Sequence, residues 1–215
     1  RDSLIQMSKF KFAVLISGNG SNLGSMIEHV DNNKIKGNIC CVFSNNPEAY
    51  GIERAKNAGL AYEVLDHREF KERDDFDSAL VKKLEKYEPD LIVLAGFMRI
   101  LSSTFIKAYE GKILNIHPSI LPKYPGLNTH ERAIESGDEH HGITIHFVDE
   151  SLDGGPICAQ SILEIGDSNI EELKERIHTL EHDLYPKVID WFAQGRLIQK
   201  DDKAYLDGKE IILKY

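Results

Sequence analysis

Basic charge is in short supply in this sequence. Lys and Arg number 26 against 35 Asp and Glu, a formal net charge of −9. A general grip on nucleic acid needs a basic face that displaces counterions, so that class is set aside. Cysteine is scarcer still: only Cys40, Cys41 and Cys158 occur, and two of them are neighbours in the chain. They make no disulfide framework, which points to a reducing, cytoplasmic setting. No apolar run approaches the roughly 20 residues of a membrane-crossing helix, so no membrane partner is expected. Residues 1–6 lack the apolar core of a signal peptide and read as an appended segment, with Met7 as the natural start. Internal repeats and Pro/Gly/Ser-rich linkers are missing too, so residues 7–215 are expected to form one domain.

What is present is ordinary globular composition, 41% hydrophobic and 28% charged over 215 residues. A chain of this size buries about 70% of its unfolded surface and needs no metal or disulfide staple. Residues 12–16, 91–94 and 113–117 are short apolar runs, as strands covered on both faces should be. Further strands are expected at 39–43 and 62–65, with helices at 22–30, 51–58 and 74–87 between them. Strand and helix alternating through short connections predicts an α/β fold, a mostly parallel Rossmann-like sheet with helices on both faces. The second half changes character. Strands at 143–148 and 157–163 are expected to pair antiparallel, followed by a long helix over 169–192. Ser168 with Glu171 forms a capping-box pattern for that helix. Ile170, Leu173, Ile177, Leu180 and Leu184 are its expected buried stripe, and Pro186 is expected to kink it. Asp207-Gly208, between 204–206 and 211–213, predicts a C-terminal hairpin.

Residues 17–22 (SGNGSN) fall between the first strand and the first helix. Glycines let backbone approach a ligand closely, and a helix N-terminus offers unpaired N–H groups and positive dipole to a phosphate. A plain strand-to-helix turn capped by Ser21 or Asn22 is the alternative. Dinucleotide binding is disfavoured: the third glycine is displaced to Gly24, and no acidic residue closes the second strand. The Gly-Lys-Ser/Thr ending of a nucleotide P-loop is also missing.

The most informative stretch is 114–118 (LNIHP). Asn115 and His117 are two apart on a strand, so both side chains share one face. The carboxyl end of a parallel strand is where open α/β sheets bind ligands. Asp153, in a loop reading LDGGP, is a carboxylate that flanking glycines could bring close to His117. It would then favour the imidazolium and raise the histidine pKa. An amide donor, a cationic ring and a carboxylate suit acyl transfer to an external nucleophile, with two donors on the developing oxyanion. A satisfied structural Asn and His, with Asp153 a simple turn residue, is the alternative. His178, Glu181 and His182 spell an inverted zinc-protease pattern, but no third ligand is apparent. They read better as a polar helix face, and no metal is expected. His140-His141 reads as a solvated turn.

Taken together, residues 16–23 (ISGNGSNL), 94–101 (LAGFMRIL), 114–119 (LNIHPS), 121–126 (LPKYPG) and 152–156 (LDGGP) make the chain resemble the phosphoribosylglycinamide formyltransferases of purine synthesis. The resemblance implies formyl transfer from 10-formyltetrahydrofolate, as cosubstrate, to the amine of glycinamide ribonucleotide. It assigns Asn115, His117 and Asp153 to catalysis. Gly20, Ser21 and Asn22 would hold the ribonucleotide phosphate, and Glu181 its amine or ribose side. Met98, Arg99, Ile100 and Leu101, with Asp149, Glu150, Ser151, Leu152 and Asp153, would line the folate pocket beside Asn115. Arg73 would meet the folate tail; its alternative is a surface arginine. Asn128 departs from the family, which carries His there. A tRNA formyltransferase would need a further domain and a basic surface, and a non-catalytic folate- or nucleotide-binding module is a rival from another class. Monomer and homodimer both stay open.

Overall fold

In the computed structural model, residues 9–213 are described, so the expectation for residues 1–6 and Met7 lies outside them. The first half builds β1 (Lys11–Ile16), α1 (Ser21–Asp31), β2 (Asn38–Ser44), α2 (Gly51–Asn57), β3 (Tyr62–Val64), α3 (Arg73–Glu85), β4 (Leu91–Leu94), α4 (Ser103–Ala108) and β5 (Ile113–His117). Then come α5 (Thr129–Glu135), β6 (His140–Phe147), β7 (Ile157–Glu164), α6 (Ile170–Ala193), β8 (Leu197–Lys200), β9 (Lys203–Leu206) and β10 (Lys209–Glu210). Seven strands form one sheet in the order β3-β2-β1-β4-β5-β6-β7. Strands β1 to β5 pair parallel, while β6 and β7 run antiparallel to their neighbours.

Both faces of the sheet are covered, and β1 shows why its sequence is uniformly apolar. Phe12, Val14 and Ile16 pack into one core with α1 and α6, while Ala13 and Leu15 pack into a second with α3 and α4. Each alternation set therefore has an apolar destination.

Two details of α6, its cap and its buried stripe, differ from the sequence expectation. Its cap is Asn169, whose side chain accepts from the Glu172 N–H at 2.9 Å. Ser168 lies one residue before the cap, and its hydroxyl accepts from Arg176. The helix also continues through Pro186. Proline removes the bond to the carbonyl four residues back, and that carbonyl, on His182, is taken up by the Ser25 hydroxyl of α1 at 2.8 Å. The buried stripe is Leu173, Ile177, Glu181, Tyr185 and Val188, with Ile170, Leu180 and Leu184 only half-buried beside it. A carboxylate thus sits in the middle of an apolar face.

The C-terminal hairpin has β10 at Lys209–Glu210, directly after the Asp207-Gly208 turn, and 211–213 form no strand. An unanticipated third strand, β8, pairs with β9 through a turn at Asp201-Asp202, both with positive φ.

His140 and His141 open β6 rather than forming a solvated turn. His141 is buried, its Nε2 3.0 Å from His130 Nδ1. Burial, reinforced by His130, pushes its pKa from 6.5 to about 4. The unfolded chain binds this proton first, so stability falls as pH drops from about 6.5 towards 4. Tm measured at pH 7.5 and 5 is expected to fall less in His141→Gln than in the parent protein.

Candidate active site

The phosphate-loop candidate is a braced turn. Gly20 adopts φ 72°, and a Cβ there would meet the Gly51 Cα at 2.8 Å. Only glycine lets the two backbones approach so closely. The Gly51 N–H donates to the Gly18 carbonyl, and Arg54 bonds both the carbonyl and the side chain of Asn19. Neither Ser21 nor Asn22 caps α1; Gly20 occupies the cap position without a side-chain bond. The first helical bond runs from the Gly24 N–H to the Gly20 carbonyl at 2.9 Å. The N–H groups of residues 21–23 therefore lack intrahelical partners and are free for an anion. The Asn22 amide instead donates to Glu181 at 3.0 Å, and burial pushes the Glu181 carboxyl upward. Gly20→Ala strains a left-handed residue by about 1–2 kcal/mol and drives Cβ into Gly51. Affinity for a phosphate monoester is expected to drop roughly tenfold or more, as titration calorimetry would read.

The polar centre lies at the end of β5. His117 is buried, and its Nε2 stands 2.7 Å from the Tyr124 carbonyl. A carbonyl only accepts, so this nitrogen carries a proton. Nδ1 stands 3.5 Å from Asp153 Oδ2, and the same oxygen accepts from the Gly126 N–H at 2.9 Å. Asp153 itself holds a left-handed backbone at φ 51°. Nε2 is thus hydrogen-bonded, while Nδ1 faces a carboxylate at ion-pair distance without a hydrogen bond to it. Nε2 is committed to the backbone, which leaves the Nδ1 edge for a ligand.

Asn115 has a partner that the sequence did not disclose. In the β5–β6 register it lies opposite His146, and its Nδ2 is 3.3 Å from His146 Nε2. His146 Nδ1 faces the Phe147 carbonyl at 2.8 Å and so carries the proton of that ring. Burial holds the His146 pKa down and keeps it neutral. His146 Nε2 then accepts from Asn115, which fixes the amide and leaves one N–H to donate.

These groups share one cavity of about 1140 Å³. Gly18 to Asn22 and Glu181 line it together with Asn115, His117, His146 and Asp153. Residues 97–101 and Val148 to Leu152 supply a largely apolar wall. Met98, Ile100, Leu127 and Leu152 are 60–69% exposed and all line it. Large apolar side chains left open on one rim mark a binding surface. Asn128, at φ 58°, and His130, Lys174 and His178 line it too, and none of the last three was singled out from sequence as a cavity residue.

Arg73 lies apart. It is exposed at the start of α3 and does not line the cavity. His178 and His182 stack with ring centres 6.2 Å apart. No group of three or more His, Cys, Asp or Glu side chains gathers in metal-holding geometry among the described residues.

Comparison with known proteins follows this geometry. The family model described as formyl transferase matches residues 10–189. A phosphoribosylglycinamide formyltransferase of Escherichia coli K12 is 50% identical over 200 residues, 92% of this chain and 94% of that protein. One of Haemophilus influenzae is 48% identical over 202 residues, 94% of this chain and 95% of that protein. The solved phosphoribosylglycinamide formyltransferase of Coxiella burnetii superposes with a TM-score of 0.91 at 46% identity, covering 94% of this chain and 96% of its own.

Proposed function

The chain belongs to the formyl transferase family, among its phosphoribosylglycinamide formyltransferases, and from that premise we propose how its site carries the formyl group. It is a transferase of purine biosynthesis. The donor we assign is 10-formyltetrahydrofolate and the acceptor the amine of glycinamide ribonucleotide. The observation that carries this reading is one cavity lined together by open helix N–H groups, an apolar rim and an Asn–His–Asp set.

Residues 21–23 offer N–H groups to the ribonucleotide phosphate. Glu181, in the same cavity, is suited to the ribose or the amine. The rim of Met98, Ile100 and Leu152 suits a flat heteroaromatic ring, and the chain between Asp149 and Asp153 completes that wall. Once bound, the donor supplies an activated formyl carbon. The protein holds amine and formyl carbon together in one cavity, which removes much of the entropic barrier to their meeting. Asn115 and the Nδ1 edge of His117 donate to the formyl oxygen as charge gathers on it. Preorganised donors of this kind are each worth about 10²–10³ in rate. Asp153, 3.5 Å from the His117 ring, assists the proton that leaves the attacking nitrogen to reach the donor nitrogen as the bond from that nitrogen to the formyl carbon breaks. Free thiols at Cys40, Cys41 and Cys158 support a reducing, cytoplasmic compartment.

A spectrophotometric assay of formyl-donor consumption tests this reading. Consumption is expected only when glycinamide ribonucleotide is present, with the formyl group recovered on its amine. Donor binding without transfer, or donor hydrolysis independent of the amine, would overturn it.

A further inference from the structure

The cavity wall formed by residues 97–101 is neither helix nor strand, so something else must fix its backbone. Two side chains do so, one at each end. The Met98 N–H donates to the Ser17 hydroxyl at 2.8 Å, and the Ser102 N–H donates to Asp77 Oδ2 at 2.6 Å. Among the described residues, no other hydrogen bond reaches the backbone of residues 97–101.

Each anchor is itself held from behind. Ser17 donates its own proton to Asn45 Oδ1 at 2.5 Å. Its lone pairs are thereby turned towards Met98. Asn45 is buried, and its amide nitrogen stands 3.1 Å from His67 Nδ1. Asp77 is fully buried on the inner face of α3, between Phe76 and Leu80 of the apolar core. No ion pair to it forms among the described residues, and its second oxygen has no hydrogen-bond partner. A carboxylate in such a place is expensive to keep, and the position of the Ser102 backbone is what it provides. Two more buried polar atoms without partners belong to the same strap: Arg99 Nε and the Ser102 hydroxyl. The Arg99 guanidinium lies over the Phe76 ring, 4.7 Å from its centre, one residue from Asp77.

We propose that Ser17 and Asp77 are positioning residues that pin the 97–101 strap at its two ends and so shape the formyl-donor wall of the cavity. The proposal rests on the donor assignment made above. Neither residue lines the cavity; both act through backbone N–H groups. The phosphate loop has its own brace through Gly51 and Arg54, so loosening the strap should leave the acceptor side in place.

Steady-state kinetics of the full chain test this with Ser17→Ala and Asp77→Leu, against the conservative Ser17→Thr and Asp77→Asn, which keep an acceptor oxygen. Losing a pin is expected to raise the donor KM roughly three- to tenfold, with kcat and acceptor KM changed by no more than about twofold. The conservative variants should recover most of the loss. Hydrogen exchange provides the second measurement: protection of the 97–102 peptide should fall in Ser17→Ala while the β4 peptide stays protected. Equal shifts in both KM values, or unchanged exchange at 97–102, would overturn the proposal. If Asp77→Leu fails to fold, Ser17→Ala decides alone. If the parent protein transfers no formyl group, the functional reading falls, and exchange at 97–102 still decides whether the pins exist.

Discussion

Replacing Asp153 by Asn is expected to lower kcat/KM by roughly 10²–10³, the usual cost of losing a preorganised electrostatic contact in a transfer site. The substitution is nearly isosteric. An amide oxygen at position 153 can still accept from the Gly126 N–H, which Asp153 Oδ2 now does at 2.9 Å, so the loop should stay in place. What disappears is the negative charge 3.5 Å from His117 Nδ1. Nε2 remains tied to the Tyr124 carbonyl at 2.7 Å and keeps its proton. Without the carboxylate, Nδ1 has no charged partner opposite it, and the electrostatic support for a donor aimed at the formyl oxygen is lost. The loss should therefore fall on turnover, with donor and acceptor KM values much less affected. Turnover followed from pH 5 to 9 reads this directly. Near-parental activity across that range would remove Asp153 from the mechanism.

The central site was readable because its logic is local. Asn115 and His117 share a face through the period of a strand, and β5 was recognisable as a continuous apolar run. Asp153 stood out through its two glycines. His146 did not, because its relation to Asn115 exists only through the β5–β6 register, and register is set by pairing. Asp77 was hidden for a related reason. Phe76, Leu80 and Leu84 mark the inner face of α3, and a carboxylate beside them reads as solvated until the 97–102 strap is placed against it. Arg73 is exposed at the start of α3 and outside the cavity lining, a placement that the sequence of a helix start does not disclose.

The sheet was similarly uneven. Strands β1, β2, β4 and β5 announce themselves through burial on both faces. Helices α4 and α5, of six and seven residues, are too short to show a period and are held by tertiary packing. Strand β8 was missed because the Asp201-Asp202 turn puts two non-glycine residues at φ 49° and 61°, where Asn-Gly or Asp-Gly is the usual signal. Glu181 carries a similar lesson. It read as part of a polar helix face with His178 and His182, and only the packed helix puts it on the buried stripe four residues from Ile177 and Tyr185.

Gly155→Ala is expected to destroy the site by a different route, and the difference identifies what holds Asp153. The glycines of the 152–156 loop suggested freedom of movement, yet Gly155 is buried in a rigid position. A Cβ there would lie 1.9 Å from the Phe147 carbonyl oxygen and 3.3 Å from the Asp149 nitrogen. Both obstacles are backbone, and the Phe147 N–H is also bonded to the Pro156 carbonyl at 2.9 Å. No side chain can rotate away, so the loop must shift as a whole and take Asp153 with it. Overpacking of this kind costs about 3 kcal/mol at the upper end of its usual range. For a chain of this size that lowers Tm by roughly 6–12 °C. Turnover should fall about as far as in Asp153→Asn, but Tm should fall with it, whereas Asp153→Asn should nearly keep the parental Tm. Gly154→Ala is the comparison. Its Cβ would meet the Ser151 hydroxyl at 2.6 Å, the end of a side chain that can turn aside, so most stability and activity should survive. Parental Tm and turnover in Gly155→Ala would mean that the loop moves freely, and that the carboxylate reaches His117 without the Phe147 contact to hold it there.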